Sequence, residues 1–112
     1  MDKGLRILFV SAEVAPYAKT GGLADVAGSL PGVLSDMGMD VRVVMPGYKG
    51  IDAEQMYVAD FPVTIGNSHK TCILKEIRNA KATTYTINNY HYYYRDGIYM
   101  HHDDGERFAF LC

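Results

Sequence analysis

The sequence predicts an α/β fold organised around a strand–helix–strand unit, and three observations predict it. A short apolar run, "LRILFV" from Leu5 to Val10, leads into a loop containing two adjacent glycines. Apolar residues then recur at three- and four-residue spacing up to Met37. A second apolar run, "DVRVVMP" from Asp40 to Pro46, follows at once. A nearly continuous run rich in branched side chains is the pattern of a strand covered on both faces in a parallel sheet, so Leu5 to Val10 reads as the first and central strand.

The helix rests on Leu23, Val26, Ala27, Leu30, Val33, Leu34 and Met37, whose spacing draws one apolar stripe along a segment from about Gly22 to Met37. Pro31 lies inside it and is expected to kink the helix or to begin a second piece. Gly38 supplies the stop, and Pro46 with Gly47 ends the second strand. Two parallel strands joined through a helix are expected to cross over right-handed.

Beyond Gly50, "MYVADFPVTIG", "KTCILKEIR" and "KATTYTIN" read as three successive strands with "GNSH" and "RNA" as turns, a hairpin-like excursion. In the middle one, Cys72, Leu74 and Glu76 alternate with Ile73, Lys75 and Ile77. From Asn88 the chain becomes the tyrosine-crowded "NNYHYYYRDGIYMHHDDGERFAFLC". There Asp103 or Asp104 is placed to cap a helix starting near Gly105 or Glu106, with Phe108, Leu111 and Cys112 on its apolar side. That short helix is expected to leave apolar surface open near Phe108 and Phe110.

Composition bounds the function. At 112 residues and 48% hydrophobic content the chain is about one small globular domain. A formal charge of −2, with acids and bases mixed throughout, argues against polyanion or nucleic-acid binding. Cys72 and Cys112 form no disulfide framework and fit a reduced compartment. Glu13 interrupts the apolar N-terminus and no small-residue cleavage pattern follows, so no secretory signal is read. No apolar run is long enough to cross a bilayer, and the cytoplasm is the expected compartment.

The stretch "AKTGGLADV", Ala18 to Val26, carries the chemistry. It sits where the first strand's carboxyl end passes into the first helix, the usual ligand position in open α/β sheets. Glycines at a helix start remove Cβ atoms from in front of unpaired N–H groups, and Lys19 adds a cation, a combination suited to phosphate or diphosphate. The pattern is neither of the common phosphate loops. A plain turn at Gly21 and Gly22 with a solvated Lys19 fits the residues equally well. The run His101, His102, Asp103, Asp104 is better explained by helix capping than by a metal, since adjacent side chains seldom converge on one ion. Glu13 lies on the same loop with no histidine or serine partner in view.

"SAEVAPYAKTGGLADVAGSLP", with "VRVVMPGY", "RDGIY" and "DDGERFAF" following in order, resembles bacterial glycogen synthases and plant starch synthases. The resemblance covers nearly the whole chain except the strands between Gly50 and Thr86. It implies a retaining glucosyltransferase that moves glucose from ADP-glucose to the non-reducing end of an α-1,4-glucan such as glycogen. It also implies a two-domain GT-B architecture, of which residues 1–112 are an incomplete N-terminal Rossmann-like domain that would not catalyse alone. By resemblance Lys19 contacts the sugar nucleotide, and Gly21 and Gly22 open the helix facing diphosphate and glucose. Asp25 helps position the glucose, or serves the helix dipole as a first-turn acid. Tyr93 falls where an aromatic ring lies near the cleft, although the run of tyrosines allows a register one residue away, or a loop packing its tyrosines on the sheet. No catalytic residue, metal or cofactor is expected within these residues. The alternative is a non-catalytic α/β module binding glucan or nucleotide by itself.

Overall fold

The computed structural model describes residues 4–95, 97–99 and 101–112, so Asp96 of the "RDGIY" motif lies outside them. Its elements are β1 (Arg6–Val10), α1 (Gly22–Asp36), β2 (Asp40–Pro46), β3 (Gln55–Ile65), β4 (Ser68–Ile77), β5 (Thr83–Asn88), α2 (Tyr90–Tyr93) and α3 (Asp104–Leu111). The strands form one mixed sheet in the order β1-β2-β5-β4-β3. β2 pairs in parallel with β1, Leu8 opposite Arg42, and with β5, Val44 opposite Tyr85. β4 runs antiparallel to both β5 and β3, and the β3 register shifts between Tyr57 and Ala59. The strand–helix–strand unit and the three-strand excursion are therefore both present, joined where β5 lies against β2.

Two expectations about the first half change. β1 stands at the edge of this sheet instead of its centre, and Leu8 and Val10 remain 64% and 46% exposed. The helix forms as one element through Pro31, but its large apolar stripe points outward: Leu23, Val26, Leu30, Val33 and Met37 are all exposed. The face against the sheet is made of Ala24, Ala27, Pro31 and Gly32. Small residues let the helix approach closely. At Gly28 a Cβ would stand 2.5 Å from the Ala15 carbonyl oxygen, a gap that no side chain fits.

The core runs from this small-residue face, through Val14, Ala18 and Ala27, towards the other end of the sheet. Val43 and Met45 of β2, Cys72 and Ile77 of β4, and Ile87 of β5 pack with Tyr48, Tyr92, Tyr93 and Phe110. Cys72 and Ile77 have opposite parity along β4, so the simple alternation expected there does not hold. α3 begins at Asp104 and buries Phe110, while Phe108 is half-buried beside Tyr99. The apolar surface expected at these two phenylalanines is thus largely closed.

Arg107 holds this corner together from a fully buried position. Its guanidinium donates to the carbonyl oxygens of Tyr92 (2.7 Å) and Ile98 (3.1 Å) and to Asp104 Oδ1 (2.7 Å). The Tyr93 hydroxyl donates to the Arg107 carbonyl. Asp103 stands at the cap position but gives α3 no side-chain cap, because its carboxylate forms a two-bond ion pair with Arg95 at 2.6 and 2.8 Å. That pair holds the Asp103 carboxyl down at about 2. Both aspartates of the His-His-Asp-Asp run are therefore engaged by arginines, and among the described residues no three His, Cys, Asp or Glu gather as a metal site.

Candidate functional site

The loop from Ser11 to Gly21 leaves the carboxyl end of β1, and its shape comes from bonds that the chain makes to itself. The Ser11 N–H donates to Val44 on β2 (3.1 Å), which extends the strand pairing by one residue. The Tyr48 hydroxyl, just past β2, donates to the Ala12 carbonyl (2.8 Å). Val14 and Ala18 exchange backbone bonds of 3.1 and 2.9 Å, doubling the loop back, and the Ala15 N–H donates to Ala24 in α1 (2.9 Å). Lys19, Thr20 and Gly21 are thereby delivered to the start of the helix.

Among the described residues, neither backbone strain nor a close neighbour calls for glycine at positions 21 and 22. Gly21 is extended, with φ −167°, and neither residue has a positive φ. A Cβ built on either meets nothing within 4 Å. Serine, threonine or aspartate at the cap position would stabilise the helix by about 0.5–2 kcal/mol over a residue without a capping side chain. Gly21 gives no side-chain cap, and the space in front of the first turn stays open. The N–H groups of such a turn have no partner within the helix and carry the positive end of its dipole.

The Lys19 ammonium lies beside this opening, paired with Asp25 Oδ1 at 2.7 Å. Both side chains are more than half exposed, so the pair contributes little stability and a stronger anion can displace it. Lys19, Gly21, Gly22 and Asp25 are thus brought to one place.

Tyr93 is not among them. Its side chain is wholly buried in the core, meeting Tyr48 edge-on at 5.9 Å between ring centres. In this arrangement it has no ring face to offer a sugar, and Tyr92 is buried likewise. Within the run from Tyr90 to Tyr94, the tyrosines that reach the surface are Tyr90 and Tyr94, stacked at 4.6 Å beside an open cavity of about 490 Å³ that also touches Tyr48, Lys75 and Asn88.

Glu13 is the residue whose role the sequence did not disclose. It is 4% exposed. Its Oε1 accepts the N–H groups of Thr20 (2.8 Å) and Gly21 (3.2 Å), and its Oε2 accepts the Tyr99 hydroxyl (2.6 Å). Burial, the largest single influence, works to raise its pKa. The bonds from Tyr99, Thr20 and Gly21 together outweigh burial and hold the carboxyl below its ordinary value. Tyr99 is pushed up to about 12, by burial first and by this bond second. Glu13 thus takes the two N–H groups just ahead of α1, and those of the first turn, the ones expected to face a ligand, are not among its bonds.

An α/β sheet with a glycine-opened helix start and a cation at the carboxyl end of its first strand has the arrangement of proteins that bind phosphate-bearing ligands at that junction. The particular family is that of the starch synthase catalytic domain, whose model matches residues 6–112, and the chain belongs to it. It is 50% identical to a glycogen synthase of Desulforudis audaxviator over 99% of its length, and 49% identical to one of Moorella thermoacetica over all of it. The chain spans about a quarter of these relatives, 25% and 23% of their lengths. A solved structure of the catalytic domain of starch synthase IV from Arabidopsis thaliana, bound to ADP and acarbose, superposes with a TM-score of 0.86 at 22% identity, covering 96% of this chain and 24% of that one. Among the described residues no helix is long and apolar enough to cross a membrane.

Proposed function

We propose that residues 1–112 form the opening part of the N-terminal Rossmann-like domain of a GT-B glycosyltransferase, a cytoplasmic enzyme that transfers glucose from ADP-glucose to the non-reducing end of an α-1,4-glucan with retention. The observation that carries this reading is the unexplained pair of glycines. No neighbour among the described residues requires them, so the room they leave serves a ligand, and the nearby Lys19 and helix start make that ligand anionic.

Transfer from ADP-glucose leaves negative charge on the departing diphosphate. Fixed donors and dipoles aimed at that charge lower the barrier because they need no reorganisation when it develops. In the free protein Lys19 is kept close by Asp25; a diphosphate draws it away because it carries more charge than one carboxylate. Asp25 is then released to a glucose hydroxyl or to the helix dipole. Tyr93 supports this site from behind, through Tyr48 and the Ala12 carbonyl, and any ring-on-sugar contact falls to its exposed neighbours Tyr90 and Tyr94.

The experiment is glucosyl transfer by the complete protein with and without Lys19→Ala. The unsubstituted protein should extend a glucan primer from ADP-glucose. The variant should lose about tenfold or more in kcat/KM, because the cation at the diphosphate is gone. Equal kinetics would remove Lys19 from the site, and binding of glucan without transfer would favour a non-catalytic module.

A further inference from the structure

We propose that Glu13 and Tyr99 form a clasp that positions the glycine loop for the reaction, with Glu13 as a positioning residue rather than a base. The proposal rests on the glucosyltransferase reading above and deepens it.

The geometry assigns the role. One carboxylate oxygen of Glu13 gathers the N–H groups of Thr20 and Gly21, the two consecutive residues that lead into α1. The other accepts the hydroxyl of Tyr99, 86 residues along the chain. Three donors are satisfied by one side chain that is nearly closed to solvent. A general base must keep a lone pair directed at the substrate, whereas this carboxylate directs both oxygens into the protein. Gly21 provides no side-chain cap for the helix, and Glu13, from eight residues upstream, holds the N–H of the cap residue itself and leaves those of the first turn open.

The consequence for the site is steric as well as electrostatic. A capping side chain at position 21 itself would occupy the space that the two glycines leave open. Holding the loop from behind keeps that space clear and still fixes the direction in which Lys19 and the first-turn N–H groups point. Tyr99 ties the loop to the segment leading into α3, so the opening is braced from two remote parts of the chain.

The test uses the complete protein carrying Glu13→Ala, Glu13→Gln or Tyr99→Phe, with two readouts: amide exchange at Thr20 and Gly21, and the separate kcat and KM for ADP-glucose. Glu13→Ala should speed exchange at both amides about tenfold or more and raise KM by a similar factor, because the loop no longer presents its donors in one geometry. Glu13→Gln keeps a carbonyl oxygen for the two N–H groups and should recover most of both losses. Tyr99→Phe removes one hydroxyl and should raise KM about threefold. If Glu13→Ala does not fold, Tyr99→Phe and Glu13→Gln carry the comparison. Variants that melt earlier but exchange these amides and bind ADP-glucose as before would overturn the clasp, reducing both residues to general stability. So would a Glu13→Gln variant as impaired in kcat as Glu13→Ala with KM unchanged, since that is the signature of a base. If the unsubstituted protein transfers no glucose, the functional reading fails, and the exchange rates at Thr20 and Gly21 still decide whether the clasp exists.

Discussion

One part of the molecule buries polar-tipped side chains while another leaves apolar ones in solvent. Around β5, α2 and α3, tyrosines and an arginine are fully buried, and their polar atoms reach backbone carbonyls or carboxylates, with Arg107 Nη2 the exception. Along β1 and α1, purely apolar side chains stand in solvent: Leu8 at 64%, Leu23 at 51% and Val33 at 51%. The difference teaches that burial here follows shape more than hydrophobicity. Ala24, Ala27, Gly28 and Gly32 let α1 lie flush on its neighbours, whereas the larger residues on its other side find no facing surface among the described residues.

The most severe way to break the comparison is to remove Arg107. Arg107→Ala leaves the carbonyls of Tyr92 and Ile98 without their donor and Asp104 without its partner. It should lower stability by about 3–5 kcal/mol, read as a shifted urea midpoint at unchanged slope. A loss below about 1 kcal/mol would mean that the aromatic cluster stands without its arginine.

Gly28→Ala tests the flush face. In an exposed helix interior this change stabilises by about 1 kcal/mol through propensity alone. Here the added methyl meets a backbone oxygen, and the expected result is a loss of about 2–3 kcal/mol. A gain in melting temperature would show that α1 can lift away from Ala15 at little cost.

The Arg95–Asp103 pair sharpens the contrast through pH. The Asp103 carboxyl is depressed from 3.8 to about 2, first by its bonds to Arg95, so the folded chain holds this proton less tightly than the unfolded one. Its contribution is present above the unfolded value and fades as pH falls from about 5 towards 2; after allowance for screening at a partly exposed position it amounts to about 1–2 kcal/mol. Arg95→Met should flatten that part of the stability-versus-pH curve. Glu13, also depressed, adds acid sensitivity of the same sign.

The smallest effect is expected on the open flank. Leu30→Gln, on the outer stripe of α1, should change the unfolding free energy of the 112-residue chain by less than about 0.5 kcal/mol while reducing self-association in sedimentation. Under a body that covers the stripe, the same substitution should cost about 2 kcal/mol.

Much of the architecture was legible because it is local. The second strand was read with the limits the structure gives it, and the helix was read within a residue at its carboxyl end. Spacing announces that a helix exists, but the buried side of α1 is chosen by what it packs on, and a stripe of small residues carries no periodic signal. β1 was read as covered on both faces from its composition, a property that belongs to its neighbours in the sheet. In the candidate site, Lys19, Gly21, Gly22 and Asp25 were readable because they are consecutive or nearly so. Glu13 was not, since its partners include a hydroxyl 86 residues away. An acid three residues past a strand, with no titratable neighbour beside it in sequence, is the trace such a residue leaves. The tyrosine run offered several candidates for one position, and the structure turns Tyr92 and Tyr93 inward and Tyr90 and Tyr94 outward.

The missing methyl at Gly28 has a mechanical consequence. Because α1 rests directly on the Ala15 carbonyl, and Ala15 also donates to Ala24, helix and loop have no slack between them. The outer stripe and the Lys19 loop therefore belong to one rigid lever. A body that comes to rest against Leu23, Val26 or Leu30 bears on the element that the loop to Lys19 is bonded to at Ala15.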